Sequence, residues 1–118
     1  MKQKRINLGT FSVGEIPEPL QVTFLTDQGV AIDLTGFAVD FVIESINAEV
    51  PTDTVLGAGS ASIVNPATGG VTQYAWDAQD FQNAGYYEGQ MWAGNGTNRY
   101  ASRQLFWNVA DITAAPSI

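Results

Sequence analysis

Apolar and polar side chains alternate along several short segments of this chain. In residues 38–44, Val39, Phe41 and Ile43 alternate with Asp40 and Glu44. A period of two residues is typical of a β-strand that has one face in the core and the other in water. The same pattern predicts strands in six further segments, which are residues 6–13, 20–26, 60–64, 71–76, 86–93 and 99–110.

Turn-forming residues separate these segments at intervals of about 8–12 residues. Residues 65–70 and 94–97 have the Gly- and Asn-rich composition of tight turns, and residues 45–59 predict a loop with room for a short strand at 54–56. No segment of useful length has helical periodicity. The pattern predicts one all-β domain over residues 1–118, an immunoglobulin-like antiparallel β-sandwich of about seven strands, with a small barrel as the alternative.

The polar segment at 77–84 interrupts the alternation between two predicted strands. Tyr87 follows two residues after Gly85, which indicates a tyrosine corner: the ring packs inward and the hydroxyl bonds to backbone a few residues upstream. An ordinary strand aromatic is the alternative. We expect a core that includes Val22, Phe24, Val39, Phe41, Ile43, Ile63, Tyr74, Trp76, Tyr87, Leu105 and Trp107.

The chain contains no Cys and no His, which excludes disulfides, thiol nucleophiles, imidazole bases and almost all zinc sites. A hydrolase would need paired carboxylates, and the pairs closest in sequence are Asp77 with Asp80 and Asp27 with Asp33. Both lie in predicted turns, where Asp is favoured for local backbone hydrogen bonds. We therefore expect no enzyme, no cofactor and no catalytic or metal-binding residues, with calcium binding by a loop left open.

Charge is distributed unevenly along the chain. Lys2, Lys4 and Arg5 hold three of the five positive charges, whereas the sequence from Ile6 onward has twelve acidic and two basic side chains. An acidic body would repel phosphates, and no apolar run is long enough to span a membrane, so we expect neither a nucleic-acid nor a membrane partner. Residues 1–5 are predicted to be a basic arm that either docks on an acidic neighbour or is solvated, and residues 111–118 a short tail.

Aromatic residues recur on the predicted outward face of the last two strands. If residues 95–97 form a three-residue loop, Trp92 lies opposite Tyr100 and Tyr86 lies opposite Phe106. This register places four aromatics on one outer face and turns Arg103 inward, which suggests a bulge. Exposed aromatics on a small domain are typical of partner contacts, although another segment of the same chain could cover them. We therefore predict partner binding by Tyr86, Trp92, Tyr100, Phe106, Lys2, Lys4 and Arg5.

Several short motifs follow one another along the chain, namely residues 20–29, Asp33-Leu34-Thr35-Gly36, residues 38–43, residues 69–76, Asp80 and Ala84-Gly85-Tyr86-Tyr87. Together they resemble the immunoglobulin-like module of tailed-phage structural proteins. The nearest group is the N-terminal domain of upper baseplate proteins. This resemblance implies a sandwich fold, a virion location after synthesis in the host cytoplasm, other virion proteins and copies of itself as partners, and no catalytic residues.

The chain differs from upper baseplate proteins, which carry long regions beyond this module, whereas the sequence ends at Ile118. Capsid decoration and the head–tail neck are therefore expected locations alongside the tail and baseplate. A carbohydrate-binding or adhesin-type module that recognises a cell-surface glycan is the alternative function. A sugar site needs aromatics in a concave groove with polar groups nearby, whereas an assembly surface can be flat and wider.

Overall fold

Short strands make up most of the structure, a computed structural model that describes residues 5–47 and 50–111. The described residues form nine strands: β1 (Ile6–Ser12), β2 (Leu20–Thr23), β3 (Ala38–Asn47), β4 (Val50–Leu56), β5 (Ser60–Ile63), β6 (Val71–Ala75), β7 (Gly85–Gly94), β8 (Arg99–Ala101) and β9 (Leu105–Ala110). Two one-turn 3₁₀ helices, Ala67–Gly69 and Ala78–Phe81, lie in the connections around β6. The number of strands in the described residues exceeds the predicted seven for two reasons. Residues 50–56 form a strand that pairs with β3, and the predicted last strand is divided into β8 and β9.

Two sheets pack face to face. The larger sheet has the strand order β1-β9-β7-β3-β4, with β8 beside β7, and the smaller sheet has the order β2-β6-β5. Every pair of neighbours is antiparallel except β1 and β9, which run parallel. The chain is thus an all-β, immunoglobulin-like β-sandwich, as the alternation predicted.

The core lies between the sheets and is centred on aromatic rings. Trp76 contacts Tyr74 and Trp107 edge-on, with centroid distances of 5.0 and 5.4 Å, and Phe41 packs against the same cluster. Every residue predicted for the core is buried or packs against it, and the buried set also includes Leu34, Phe81, Met91, Ala93 and Val109. The sequence contains no Cys, so no disulfide contributes to this core, and the close packing of these rings stabilises the sandwich.

Tyr87 forms the predicted tyrosine corner. Its hydroxyl donates a hydrogen bond of 2.6 Å to the backbone carbonyl of Asn83, and its ring stacks on Trp107 with the centroids 6.0 Å apart. Burial raises the pKa of the Tyr87 hydroxyl. The bond fixes the polar segment before β7 to the start of that strand, so it determines where β7 enters the larger sheet.

The predicted register of the final hairpin is wrong. The connecting loop has four residues rather than three, because the Asn95 side chain accepts hydrogen bonds from the backbone N–H groups of Thr97 and Asn98 and closes residues 95–98. Tyr100 consequently lies opposite Ala93, on the inner face. An irregularity at residues 102–104, where the Ser102 hydroxyl accepts the N–H of Met91, then shifts the register again. This irregularity is the predicted bulge, and it leaves Arg103 exposed.

Candidate interaction face

The surface of the larger sheet that faces away from the core, called here the outer face, carries three of the four predicted aromatics. Alternation along β7 and β9 directs Tyr86, Trp92 and Phe106 to this face, with Tyr86 opposite Asn108 and Phe106 opposite Glu88. The predicted pairing of Tyr86 with Phe106 is therefore incorrect. The three rings share one face but lie at different heights along the sheet.

Aliphatic side chains enlarge the apolar part of the outer face. Ile46 on β3 lies directly opposite Tyr86, and Leu56 on β4 lies opposite Val42. Tyr86 is 66% exposed, Leu56 63% and Ile46 39%, whereas Trp92 is half-buried. The sequence analysis did not assign these aliphatic residues to the outer face. The alternation of residues 38–44, continued to residue 46, would have placed Ile46 there.

Glu88 is the central polar group of the outer face. It forms an ion pair with Arg5 and accepts a hydrogen bond from the side-chain amide of Gln104. The Arg5 guanidinium also lies over the Phe106 ring, 4.5 Å from its centroid. Arg5, which belongs to the predicted basic arm, thus covers the Phe106 ring. For Phe106 this is the alternative given in the sequence analysis, in which another segment of the same chain covers the aromatics. Lys2 and Lys4 lie outside the described residues.

Tyr100 is not part of the outer face. Its ring stacks on Phe37 at a centroid distance of 5.8 Å and packs against the core. The correction follows from the four-residue loop, because adding one residue to a hairpin moves the following side chain to the other side of the sheet. Tyr100 instead lines a cleft between the two sheets.

The outer face is shallow. A depression over the backbone of Gly89 and beside Trp92 has a volume of about 140 Å³. Polar side chains surround this depression, namely Glu44, Glu88, Gln90 and Gln104. Pockets that enclose small ligands usually span about 300–1,000 Å³. The geometry is therefore closer to that of a contact surface than to that of an enclosing site.

The carboxylates of the acidic turns accept hydrogen bonds from neighbouring groups. Asp80 is buried and accepts hydrogen bonds from the Tyr74 hydroxyl at 2.7 Å, from Ala58 N–H at 2.9 Å and from Asp77 N–H at 3.0 Å. Asp33 accepts from both the hydroxyl and the N–H of Thr35, and these bonds lower the pKa of Asp33. Among the described residues, no group of three acidic side chains is arranged to hold a metal ion.

No family model and no curated protein matches the chain. No helix in the described ranges is long and apolar enough to cross a membrane. The function is accordingly inferred from the surfaces described above and from the resemblance found in the sequence.

Proposed function

We propose that this chain is a non-enzymatic structural protein of a tailed-phage virion, an immunoglobulin-like module that binds other virion proteins. The outer face of the larger sheet is the main binding surface, and the basic arm of Lys2, Lys4 and Arg5 is the second. The resemblance in the sequence supports the virion location, in the tail, baseplate, neck or capsid decoration. The observation that carries the binding role is the exposed apolar cluster of the outer face.

The composition of this cluster suits a protein partner. Most of the surface of Tyr86 and Leu56 is exposed to solvent, and Ile46 is partly exposed. Trp92 lies on the same face. Large aromatic side chains dominate the free energy of many protein interfaces when a partner buries them. A shallow surface that combines such anchors with surrounding carboxylates fits a flat protein contact, which has an apolar centre and a polar rim.

The first experiment measures incorporation into particles. Phage that carries Tyr86→Ala together with Trp92→Ala is purified, and the copy number of the chain per particle is compared with that of wild-type phage. We expect the copy number to fall at least tenfold while the isolated variant keeps its folded far-UV and near-UV spectra. Both side chains lie on the outer face and neither belongs to the core, so the fold should survive.

A control changes two exposed apolar side chains elsewhere. Ile16 is 64% exposed and Val30 is 60% exposed, and both lie in connections outside the larger sheet. Ile16→Ser with Val30→Ser should leave the copy number unchanged. Normal incorporation of the outer-face variant would refute the binding surface, and absence of the wild-type chain from purified particles would refute the virion assignment.

The basic arm is tested separately by deleting Met1 to Arg5. If the arm binds through charge, the deletion should matter less at high salt, because screening already weakens the contact that it removes. If the arm binds through shape, the deletion should weaken incorporation more at high salt. Since Arg5 pairs with Glu88 and covers Phe106, the deletion also exposes part of the outer face, and Arg5→Gln serves as the control for this effect.

A carbohydrate-binding module is the second candidate, and the polar depression beside Trp92 favours it. Glu44, Gln90 and Gln104 around this depression offer the hydrogen-bonding groups that a sugar requires. The small volume argues for at most a single sugar ring stacked on Trp92. Glycan-array binding that is lost in Trp92→Ala and retained in Tyr86→Ala would support this candidate over the protein interface, which should depend on both.

A further inference from the structure

A second surface lies where the edges of the two sheets meet. A cleft of about 820 Å³ runs between β2 of the smaller sheet and β8 with the start of β9 of the larger sheet. Its volume lies in the range of about 300–1,000 Å³ that is typical of binding pockets. Val22 and Ile32 on one side and Tyr100 and Leu105 on the other give it an apolar interior.

The strand β8 presents an unpaired edge to this cleft in the described part of the chain. Ser102 N–H donates to Met91 C=O and Asn95 N–H donates to Asn98 C=O, so the even-numbered residues of this segment direct their backbone groups toward β7. Strand alternation then directs the N–H and C=O groups of Arg99 and Ala101 away from β7. Such an edge is a template for one more strand.

Two basic side chains line the cleft. Arg99 and Arg103 are the two positive side chains that follow Ile6 in the sequence, and both line this cleft. Neither guanidinium has an ion-pair or hydrogen-bond partner among the described residues, and Asp27 is the one carboxylate of the lining. The rim of the cleft near β8 is therefore a local positive patch that attracts negatively charged groups, although the protein as a whole is acidic.

We propose that this cleft binds an extended segment of a partner protein that alternates apolar and acidic residues. The segment adds to the free edge of β8 through the backbone groups of Arg99 and Ala101. Its apolar side chains enter the cleft, and its carboxylates lie beside Arg99 and Arg103. Because Lys2 and Lys4 have the wrong charge for this rim, the chain's own N-terminal segment is a poorer match than an acidic partner.

This proposal does not depend on the virion assignment and is tested on the full chain with synthetic peptides. A blocked (Val-Glu)₄ peptide is titrated against the protein, with (Val-Lys)₄ as the matched control, and binding is followed by amide chemical shifts and hydrogen exchange. We expect (Val-Glu)₄ to bind at least tenfold more tightly, with the largest shifts and new exchange protection at Arg99 and Ala101. Equal affinities, or shifts centred on Tyr86 and Ile46, would overturn the proposal.

Two variants separate charge from strand pairing. Arg99→Glu with Arg103→Glu should reverse the preference between the two peptides, because both arginines are exposed and lie outside the core. A (Val-Glu)₄ peptide that is N-methylated at alternate residues keeps its charge but loses the donors of one edge, and it should lose binding. Retained binding by the methylated peptide would refute strand addition.

A truncated chain without Met1 to Lys4 tests the competing occupant. If the proposal is correct, the truncated and full chains bind (Val-Glu)₄ with affinities within about threefold of each other. Binding that appears only after truncation would mean that the chain's own N-terminal segment fills the cleft, and the proposal would fail.

Discussion

At the scale of single residues, buried hydrogen bonds hold the connections to the sandwich. The carboxylate of Asp80 joins the turn at Ala58, the Tyr74 ring of β6 and the start of the 3₁₀ helix at Asp77. The Tyr74 hydroxyl is buried, so it would lose its acceptor in the interior if this carboxylate were removed. Asp80 therefore has a structural role, and its bond to Asp77 N–H is the kind of local backbone hydrogen bond expected of Asp in a turn.

The tyrosine corner leads to a direct comparison of adjacent residues. Tyr87→Phe should lower the free energy of unfolding by about 1 kcal/mol, because it removes the hydroxyl that bonds to the Asn83 carbonyl. Tyr86→Phe is the matched control and should change stability very little, since Tyr86 is 66% exposed on the outer face. Urea unfolding of both variants gives the measurement, and equal losses would exclude a stabilising role for the corner.

The buried tyrosines also predict a loss of stability in alkali. Burial, followed by the hydrogen bond to Asp80, raises the pKa of Tyr74 above its ordinary value of 10.0, and burial raises the pKa of Tyr87. Below pH 10 both tyrosines are protonated in the folded and unfolded chains, so their contribution is fully present. Above pH 10 these tyrosines ionise more readily in the unfolded chain than in the folded chain, so stability should fall as the pH rises.

Urea midpoints measured between about pH 9 and pH 11 test this dependence. Tyr74→Phe should reduce the slope of stability against pH, because the variant lacks one of the two groups, whatever its stability at neutral pH. Tyr86→Phe, which changes a side chain that is 66% exposed, is the control and should leave the slope unchanged. An unchanged slope in Tyr74→Phe would contradict the assignment.

At the scale of elements, alternation predicted the strands well because burial of one sheet face imposes a period of two residues. It could not predict Leu34 and Phe81, which are fully buried but lie in connections without a period. It also failed at the final hairpin, because the composition of residues 94–97 fits several loop lengths and only the Asn95 side-chain bonds select four residues. The fourth loop residue places Tyr100 on the core side of the larger sheet rather than on the outer face.

Packing between elements depends on one glycine of β7. A Cβ atom at Gly89 would lie 2.7 Å from the Phe41 ring and 2.9 Å from the Trp107 ring, both of which are buried. Gly89→Ala should therefore cost about 1–3 kcal/mol of stability, as overpacking in a core does. Gly94→Ala in the same strand is the control, because its nearest contact would be an ordinary 3.6 Å. Equal stabilities of the two variants by urea unfolding would contradict this account.

At the scale of the whole molecule, the acidic charge and the apolar outer face act in opposite directions. The chain has a net charge of −7, and Asp40, Glu44 and Glu88 lie on the same sheet face as Tyr86 and Trp92. Two such faces would gain from burying their apolar side chains and would repel each other through their carboxylates. Alternation in the sequence places Glu88 on the same face as Tyr86 and Trp92, but only the pairing of β3 with β7 brings Asp40 and Glu44 beside them.

Self-association through the outer face should therefore strengthen with salt. Between about 0.01 M and 1 M salt the Debye length falls from about 30 Å to about 3 Å, which removes most of the repulsion between exposed carboxylates. We expect sedimentation velocity to show a larger associated fraction at high salt, and a weaker salt dependence for Asp40→Asn with Glu44→Gln. Tyr86→Ala with Trp92→Ala keeps the charge and should remain monomeric throughout. Association that weakens with salt, or that persists in this last variant, would place the contact between copies on another surface.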